Sequence, residues 1–220
     1  MAAVRALAEI MHRVFFRTLS LLSSRGQGAL LRRYFNWWHR RPDPWNMGTD
    51  VYEQGKYAAT LAQVPARPYR RILEVGCSEG VFTERLVTAF PEAHITGVDI
   101  SERALDRARE RVAAADGRTR LVAADILGFT AEHHYDLVFC AETLYYLGRR
   151  ERLRLASARL VGLLAPGGVL VLVHPWPEAR RLHRFVDSGP PLARIGERVH
   201  RSTHRPFAVV VYEARPDGSG

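Results

Sequence analysis

Two apolar rhythms share this chain. From Arg71 onward, short apolar runs of strand length recur at Arg71–Val75, His94–Asp99, Thr119–Ala124, Tyr135–Ala141 and Gly168–His174. Between them, apolar residues return every three or four positions, predicting helices over Gly80–Ala89, Arg103–Ala115, Arg149–Leu164 and Pro177–Asp187. The runs carry no alternation of polar residues, as expected of strands covered on both faces. A last run, Phe207–Arg215, is expected beside the fifth strand, and Arg194–His204 is a weaker strand candidate. The pattern predicts an α/β fold with a Rossmann-like, doubly wound, mostly parallel sheet of about seven strands, the last one antiparallel. Upstream, Val4, Leu7, Ala8, Met11, Val14, Phe15 and Leu19 repeat at helical spacing, and Tyr52–Leu61 reads as a further helix. The chain therefore divides into a basic amphipathic helical extension (1–42), a lid or substrate-side helix (43–66) and a catalytic domain (67–216).

The punctuation between these elements carries the chemistry. The first strand ends in Gly76-Cys77-Ser78-Glu79-Gly80 and a helix follows at once. Glycine allows a strand to reverse into a helix within a few residues and lets a ligand approach the backbone. The second strand ends in Asp99, nineteen positions after Gly80, and the third in Asp125. This is how a doubly wound sheet grips an adenosine-containing cofactor. Glu74 lies just before the turn and Glu79 within it, poor company for a diphosphate but good company for a cation, so an NAD-type domain with a degraded fingerprint is the weaker reading. Ala165-Pro166-Gly167-Gly168 is expected to end a helix and turn the chain into the fifth strand.

The acid-Gly-rich turn, Asp99, Asp125 and the later APGG resemble the class I S-adenosylmethionine (SAM) methyltransferases over roughly residues 70–175. The strings DPWNMGTDVYEQGKYAATLAQVP, EVGCSEGVFTERL and CAETLYYL sharpen this over roughly residues 43–213. They are similar to the nodulation protein S (NodS-like) family, SAM-dependent N-methyltransferases acting on the amine of a deacetylated chitooligosaccharide. The chain departs from that family in its basic N-terminus. The resemblance implies SAM as cofactor and S-adenosylhomocysteine as product. Glu74 and Gly76 would shape the floor under the methionine part, with the backbone near Gly76 and Cys77 approaching its amino group, and Ser78 and Gly80 would complete the cofactor-binding turn. Asp99 would accept from the ribose hydroxyls, with Ile100 on the adenine face, Asp125 on the adenine amino group and Ile126 beside it. Ser101 is the better cap for the following helix, and a capping role is the rival for Asp125. Glu142 and His174 close the fourth and fifth strands and are the catalytic candidates. His174 would be the base, and Glu142 would hydrogen-bond the amine or steady the sulfonium. Trp45, Tyr52, Tyr57, Tyr145 and Trp176 are candidates to line an acceptor site, since aromatic faces stack on sugars and attract cations. The expected activity is methyl transfer to an amine of a small molecule, an amino sugar or saccharide-containing metabolite.

Composition narrows the alternatives. A hydrophobic fraction of 47% over 220 residues suffices for one covered α/β core. The two cysteines, Cys77 and Cys140, fall in a turn and a strand expected to be buried, a poor pattern for a disulfide, so a reducing cytoplasm is the default. No apolar stretch reaches the ~20 residues of a membrane span, and the histidines show no metal-ligand spacing. Of the net charge of +9, residues 1–42 hold eight arginines against Glu9 alone. That arm reads as a helix packed on the catalytic domain, on a dimer partner or on an acidic surface, or as a transit peptide. The alternatives are an O-methyltransferase of a natural product, an RNA or protein methyltransferase using the basic arm, and a non-catalytic SAM-binding protein. No recognised RNA-binding module accompanies the arm, so nucleic acid is not favoured.

Overall fold

The computed structural model describes residues 24–115, 117–188 and 192–215. The helical periodicity read over Val4–Leu19 lies outside the described residues. Among these, no helix is long and apolar enough to cross a membrane.

Among the described residues two helices precede the sheet, α1 (Ser24–Trp38) and α2 (Val51–Leu61). Then β1 (Arg71–Val75), α3 (Val81–Ala89), β2 (His94–Asp99), α4 (Glu102–Arg111), β3 (Thr119–Ala123) and β4 (Tyr135–Ala141) follow in turn. A 3-10 turn at Leu144–Leu147 leads to α5 (Arg150–Gly162), β5 (Leu164–Pro175), α6 (Ala179–Asp187), β6 (Leu192–His200) and β7 (Phe207–Ala214). The seven strands lie in the order β3-β2-β1-β4-β5-β7-β6. The first five are parallel, while β7 runs antiparallel between β5 and β6.

Strand order reverses between β1 and β4, whose carboxyl ends align at Val75 and Cys140. Ligands of open α/β sheets bind at this reversal. The central strands β1, β4 and β5 are largely apolar because each face of the sheet there has its own core. Leu73, Val75, Leu170 and Leu172 face α5 and α6, while Ile72, Phe139, Val171 and Val173 pack with Tyr57 of α2 and Phe82 and Leu86 of α3. Asp50 caps α2 by accepting from the Tyr52 N–H, and Ser101 caps α4 by accepting from the Ala104 N–H.

The glycine turn near residue 167 corrects one expectation. Helix α5 already ends at Gly162 and β5 begins at Leu164, before the Pro-Gly-Gly rather than after it. The turn is a bulge inside the strand: Tyr135 pairs with Leu164, and the register then shifts so that Leu137 pairs with Val169. A Cβ on Gly168 would come within 2.8 Å of the Ala165 carbonyl and 2.9 Å of that of Tyr135, so the bulge needs glycine there.

Helix α1 docks through residues four apart, Gln27, Leu31, Phe35 and His39. Gln27 donates from Nε2 to the Leu147 carbonyl at 3.2 Å, and Leu31 is buried. The rings of Phe35 and Tyr146 meet edge to face with centroids 4.9 Å apart. Asn36 accepts from the Ser101 hydroxyl at 2.8 Å, tying the helix to the start of α4.

Candidate active site

A cavity of about 480 Å³ opens at the carboxyl ends of β1, β2 and β4, under α1 and α2. Its floor is the glycine turn. Gly76 has φ +82°, and a Cβ there would collide with the Thr143 hydroxyl. The Gly76 and Cys77 amides both donate to the Val98 carbonyl, at 2.7 and 3.1 Å, which binds the turn to β2. Ser78, at φ +49°, lines the cavity with its hydroxyl buried and unpartnered.

Asp99 ends β2 at the cavity wall. Its carboxylate accepts from the Ser78 N–H at 2.9 Å and the Ser101 N–H at 2.8 Å. Burial raises its pKa, opposed by those amides. Each oxygen keeps lone-pair capacity on its other side. Val98, Ile100 and Ile126 form an apolar slot beside it, closed from above by Leu31 and Phe35. Asp125 lines the same end, but no helix starts from it. Its oxygens accept from the Leu127 N–H at 3.0 Å and from Arg152 Nη2 at 3.1 Å.

At the other end, Glu142 occupies a left-handed backbone position (φ +51°) directly after β4. A non-glycine residue held there costs roughly 1–3 kcal/mol and marks a site over-determined by its surroundings. Lys56 of α2 donates to Glu142 at 3.2 Å and pairs with Glu53 at 2.8 Å. Burial alone would lower the Lys56 pKa, but the two carboxylates outweigh it and hold the ammonium charged. Tyr145 donates its hydroxyl to the other Glu142 oxygen at 3.1 Å, and burial keeps that phenol protonated. Tyr52, Tyr145, Trp176 and Arg205 line the rest of this end, while Trp45 lines the cavity where it packs against Phe35 and His39.

Gly76, Ser78, Asp99, Ile100, Asp125, Ile126 and Glu142 thus share one cavity with four of the five expected aromatics. The structure corrects five other placements. Glu74 lies beneath the floor, not on it. It accepts from the Thr83 hydroxyl at 2.6 Å, and burial pushes its pKa up to about 7. Cys77 does not line the cavity: its amide is engaged by the Val98 carbonyl and its side chain is buried behind the turn, where a Cβ on Gly97 would lie 3.0 Å from its sulfur. Gly80 faces α4, since a Cβ there would sit 3.0 Å from that of Ala108. Tyr57 stacks on Phe82 in the core, with centroids 5.1 Å apart.

His174 is the fifth. It is fully buried and points away from the cavity, on the same face of β5 as Leu170 and Leu172. Its Nε2 accepts from the Leu144 N–H at 3.2 Å, so the ring proton sits on Nδ1 and is donated to His183 Nε2 at 2.9 Å. No lone pair remains for an incoming proton. Burial, with the neighbouring His183, holds its pKa well below the usual histidine value. It ties the 3-10 turn after Glu142 to α6 and does not act as a base at the cavity.

This histidine pair gives the fold a signed pH dependence. Burial lowers the His183 pKa from 6.5 to about 4. Between those values the unfolded chain binds more protons than the folded one. The stability is thus complete above about pH 6.5 and is lost as pH falls towards 4, on the order of 3 kcal/mol from this residue. In urea titrations, His183→Gln keeps an acceptor for the His174 proton and should flatten the acid decline. An equal slope in both proteins would assign the decline elsewhere.

Glu79 was read as a cation-friendly acid of the turn, yet it faces away from the cavity. His39 donates to it at 2.8 Å, Arg107 at 2.7 Å and the Asp43 N–H at 2.9 Å. Burial would raise its pKa, but these donors outweigh it and hold it below the usual carboxylate value. Among the described residues no cluster of His, Cys, Asp and Glu is arranged to hold a metal. Sequence reasoning missed Lys56; the basic extension was expected to pack on the catalytic domain, but the residues that roof the cavity, signalled by the four-residue spacing of Gln27, Leu31, Phe35 and His39, were not singled out.

With this geometry in place, the chain was compared with known proteins. The family model "Nodulation protein S (NodS)" matches residues 24–183. Nodulation protein S of Rhizobium tropici is 37% identical over 130 residues, covering 59% of this chain and 53% of that protein. Trans-aconitate 2-methyltransferase of Methylobacterium radiotolerans is 35% identical over 144 residues, covering 64% of this chain and 53% of that protein. The matched stretch therefore spans about half the length of these curated relatives. The crystal structure of N-methyltransferase NodS from Bradyrhizobium japonicum WM9, in complex with S-adenosylhomocysteine, has the same fold. It superposes with a TM-score of 0.72 at 24% identity, covering 83% of this chain and 97% of that one.

Proposed function

We propose that this chain, which belongs to the nodulation protein S family, is a SAM-dependent methyltransferase that methylates an amine of a small molecule, an amino sugar or other saccharide-containing metabolite. The observation that carries the reading is one cavity with two chemically different ends, Asp99 and its apolar slot at one and Glu142 among aromatic side chains at the other.

The residues present fit the cofactor. The unpartnered Ser78 hydroxyl and the cavity-facing lone pairs of Asp99 ask for hydrogen-bonding groups, and the slot of Val98, Ile100 and Ile126 suits an aromatic base. When bound, SAM supplies a methyl group on a sulfonium for in-line displacement. Gly76 and Ser78 would hold its methionine end, Asp99 the ribose, and Ile100, Asp125 and Ile126 the adenine. An ammonium acceptor must lose a proton before its lone pair can react, and Glu142 is the cavity carboxylate positioned to take it. Tyr145 and Lys56 fix the orientation of that carboxylate. The covering helices exclude water from the apolar slot, and alignment of the two ends supplies the rest.

A second reading rests on Lys56, a charged ammonium in the wall at the acceptor end. A cation there would suit a carboxylate acceptor, as the name of the trans-aconitate methyltransferase relative suggests. Purified protein with SAM should convert an amino-sugar acceptor to a product 14 mass units heavier that withstands mild alkali. An alkali-labile product from trans-aconitate alone would favour the ester-forming reading.

A further inference from the structure

The acceptor end carries more positive charge than a neutral sugar amine needs. Trp176 and Arg205 line the cavity, and two further arginines flank the tryptophan. The Arg180 guanidinium lies over the Trp176 ring, 4.5 Å from its centroid, and that of Arg201 lies 5.3 Å from it. Both are exposed, and among the described residues neither pairs with a carboxylate. The acids nearby are engaged elsewhere. Glu178 pairs with Arg181 at 2.5 Å, Glu53 with Lys56 at 2.8 Å and Arg205 at 3.1 Å, and Glu142 with Lys56 at 3.2 Å. Asp50 caps α2 and lies 3.9 Å from Arg205.

Two of the aromatic faces expected to stack on a sugar ring, those of Trp176 and Tyr52, are thus occupied by cations. Arg205 also lies 4.3 Å from the centroid of Tyr52, and Lys56 lies 5.3 Å from it. A guanidinium resting on an aromatic ring is partly desolvated and held in a plane, with its N–H groups free to fork onto an oxyanion. A neutral acceptor would gain nothing from Arg180 and Arg201.

Building on the methyltransferase reading, we propose that the acceptor is a bipolar molecule, an amine that also carries a phosphate or carboxylate. The amine meets Glu142 inside the cavity, and the oxyanion is seated at the rim by Arg180 and Arg201. The two charges of such an acceptor are complementary to the two charges of the site.

The test uses the full chain saturated with S-adenosylhomocysteine and titrated calorimetrically with glucosamine, glucosamine 6-phosphate and muramic acid. The expected result is at least tenfold tighter binding of an acidic sugar than of glucosamine, weakening with added salt. The phosphate and carboxylate arms tell the two oxyanions apart. In the Arg180→Gln/Arg201→Gln double variant the preference should vanish while S-adenosylhomocysteine affinity stays the same. Equal affinity for all three sugars, no binding of either acidic sugar, or a preference that survives in the variant would each overturn the proposal. Failure of the wild-type chain to bind S-adenosylhomocysteine would instead sink the methyltransferase reading on which it rests.

Discussion

Replacing Asp99 by alanine is expected to weaken S-adenosylhomocysteine binding by at least ~100-fold. The carboxylate terminates β2 with one oxygen on the Ser78 N–H and the other on the Ser101 N–H, leaving its remaining lone pairs for the cavity. Hydrogen bonds to a charged group contribute roughly 1.5–3 kcal/mol each, so losing two to a ribose corresponds to ~10²–10⁴ in affinity. The substitution also strands two backbone donors, so its melting temperature should fall as well. Asp99→Asn separates the two effects: one acceptor oxygen survives, and both folding and affinity should lie between parent and alanine variant. Calorimetry on folded protein decides the matter. An alanine variant that binds as tightly as the parent would place the ribose elsewhere.

The second large effect is expected at Glu142. Glu142→Gln retains the shape of the side chain and one acceptor for Lys56 or Tyr145, but it abolishes the negative charge. Proton transfer by a positioned group is typically worth ~10²–10⁴ in rate. With an amine acceptor, kcat should therefore fall by about 100-fold. The affinity for S-adenosylhomocysteine should change less than threefold, because Asp99, Gly76 and Ser78 are untouched. A kcat reduction below about threefold would make Glu142 an anchor for Lys56 and remove it from the chemistry.

How far the sequence revealed this architecture depends on whether the signal was local. The strands β1, β2 and β4 begin and end where their apolar runs do, because both faces are covered and no alternation blurs the boundaries. The start of β5 was not legible, since a Pro-Gly-Gly bulge looks the same as a helix stop until pairing with Tyr135 is known. Asp99 could be placed because a strand end and a glycine turn together fix its position. Strand ends do not fix direction. His174 continues the face of Leu170 and Leu172 and turns to α6, whereas Glu142 reaches the cavity through a left-handed backbone that no local pattern announces. Lys56 was invisible for a different reason. A lysine on an amphipathic helix normally faces solvent, and its burial here depends on Glu142, 86 residues away.

The order of strands in the sheet also bears on how the protein is made. Among the described residues β6 pairs only with β7, yet β7 follows it in the chain and takes the position between it and β5. While residues 207–214 are still to be synthesised, β6 has no neighbour to dock on. The hydrogen-bonding edge of β5, Val169–Pro175, is then open along a run whose side chains end up almost wholly buried. An uncovered apolar edge is a template for pairing with another chain. A nascent chain halted before Phe207 would therefore hold most of its parallel sheet and still be the form most prone to aggregate.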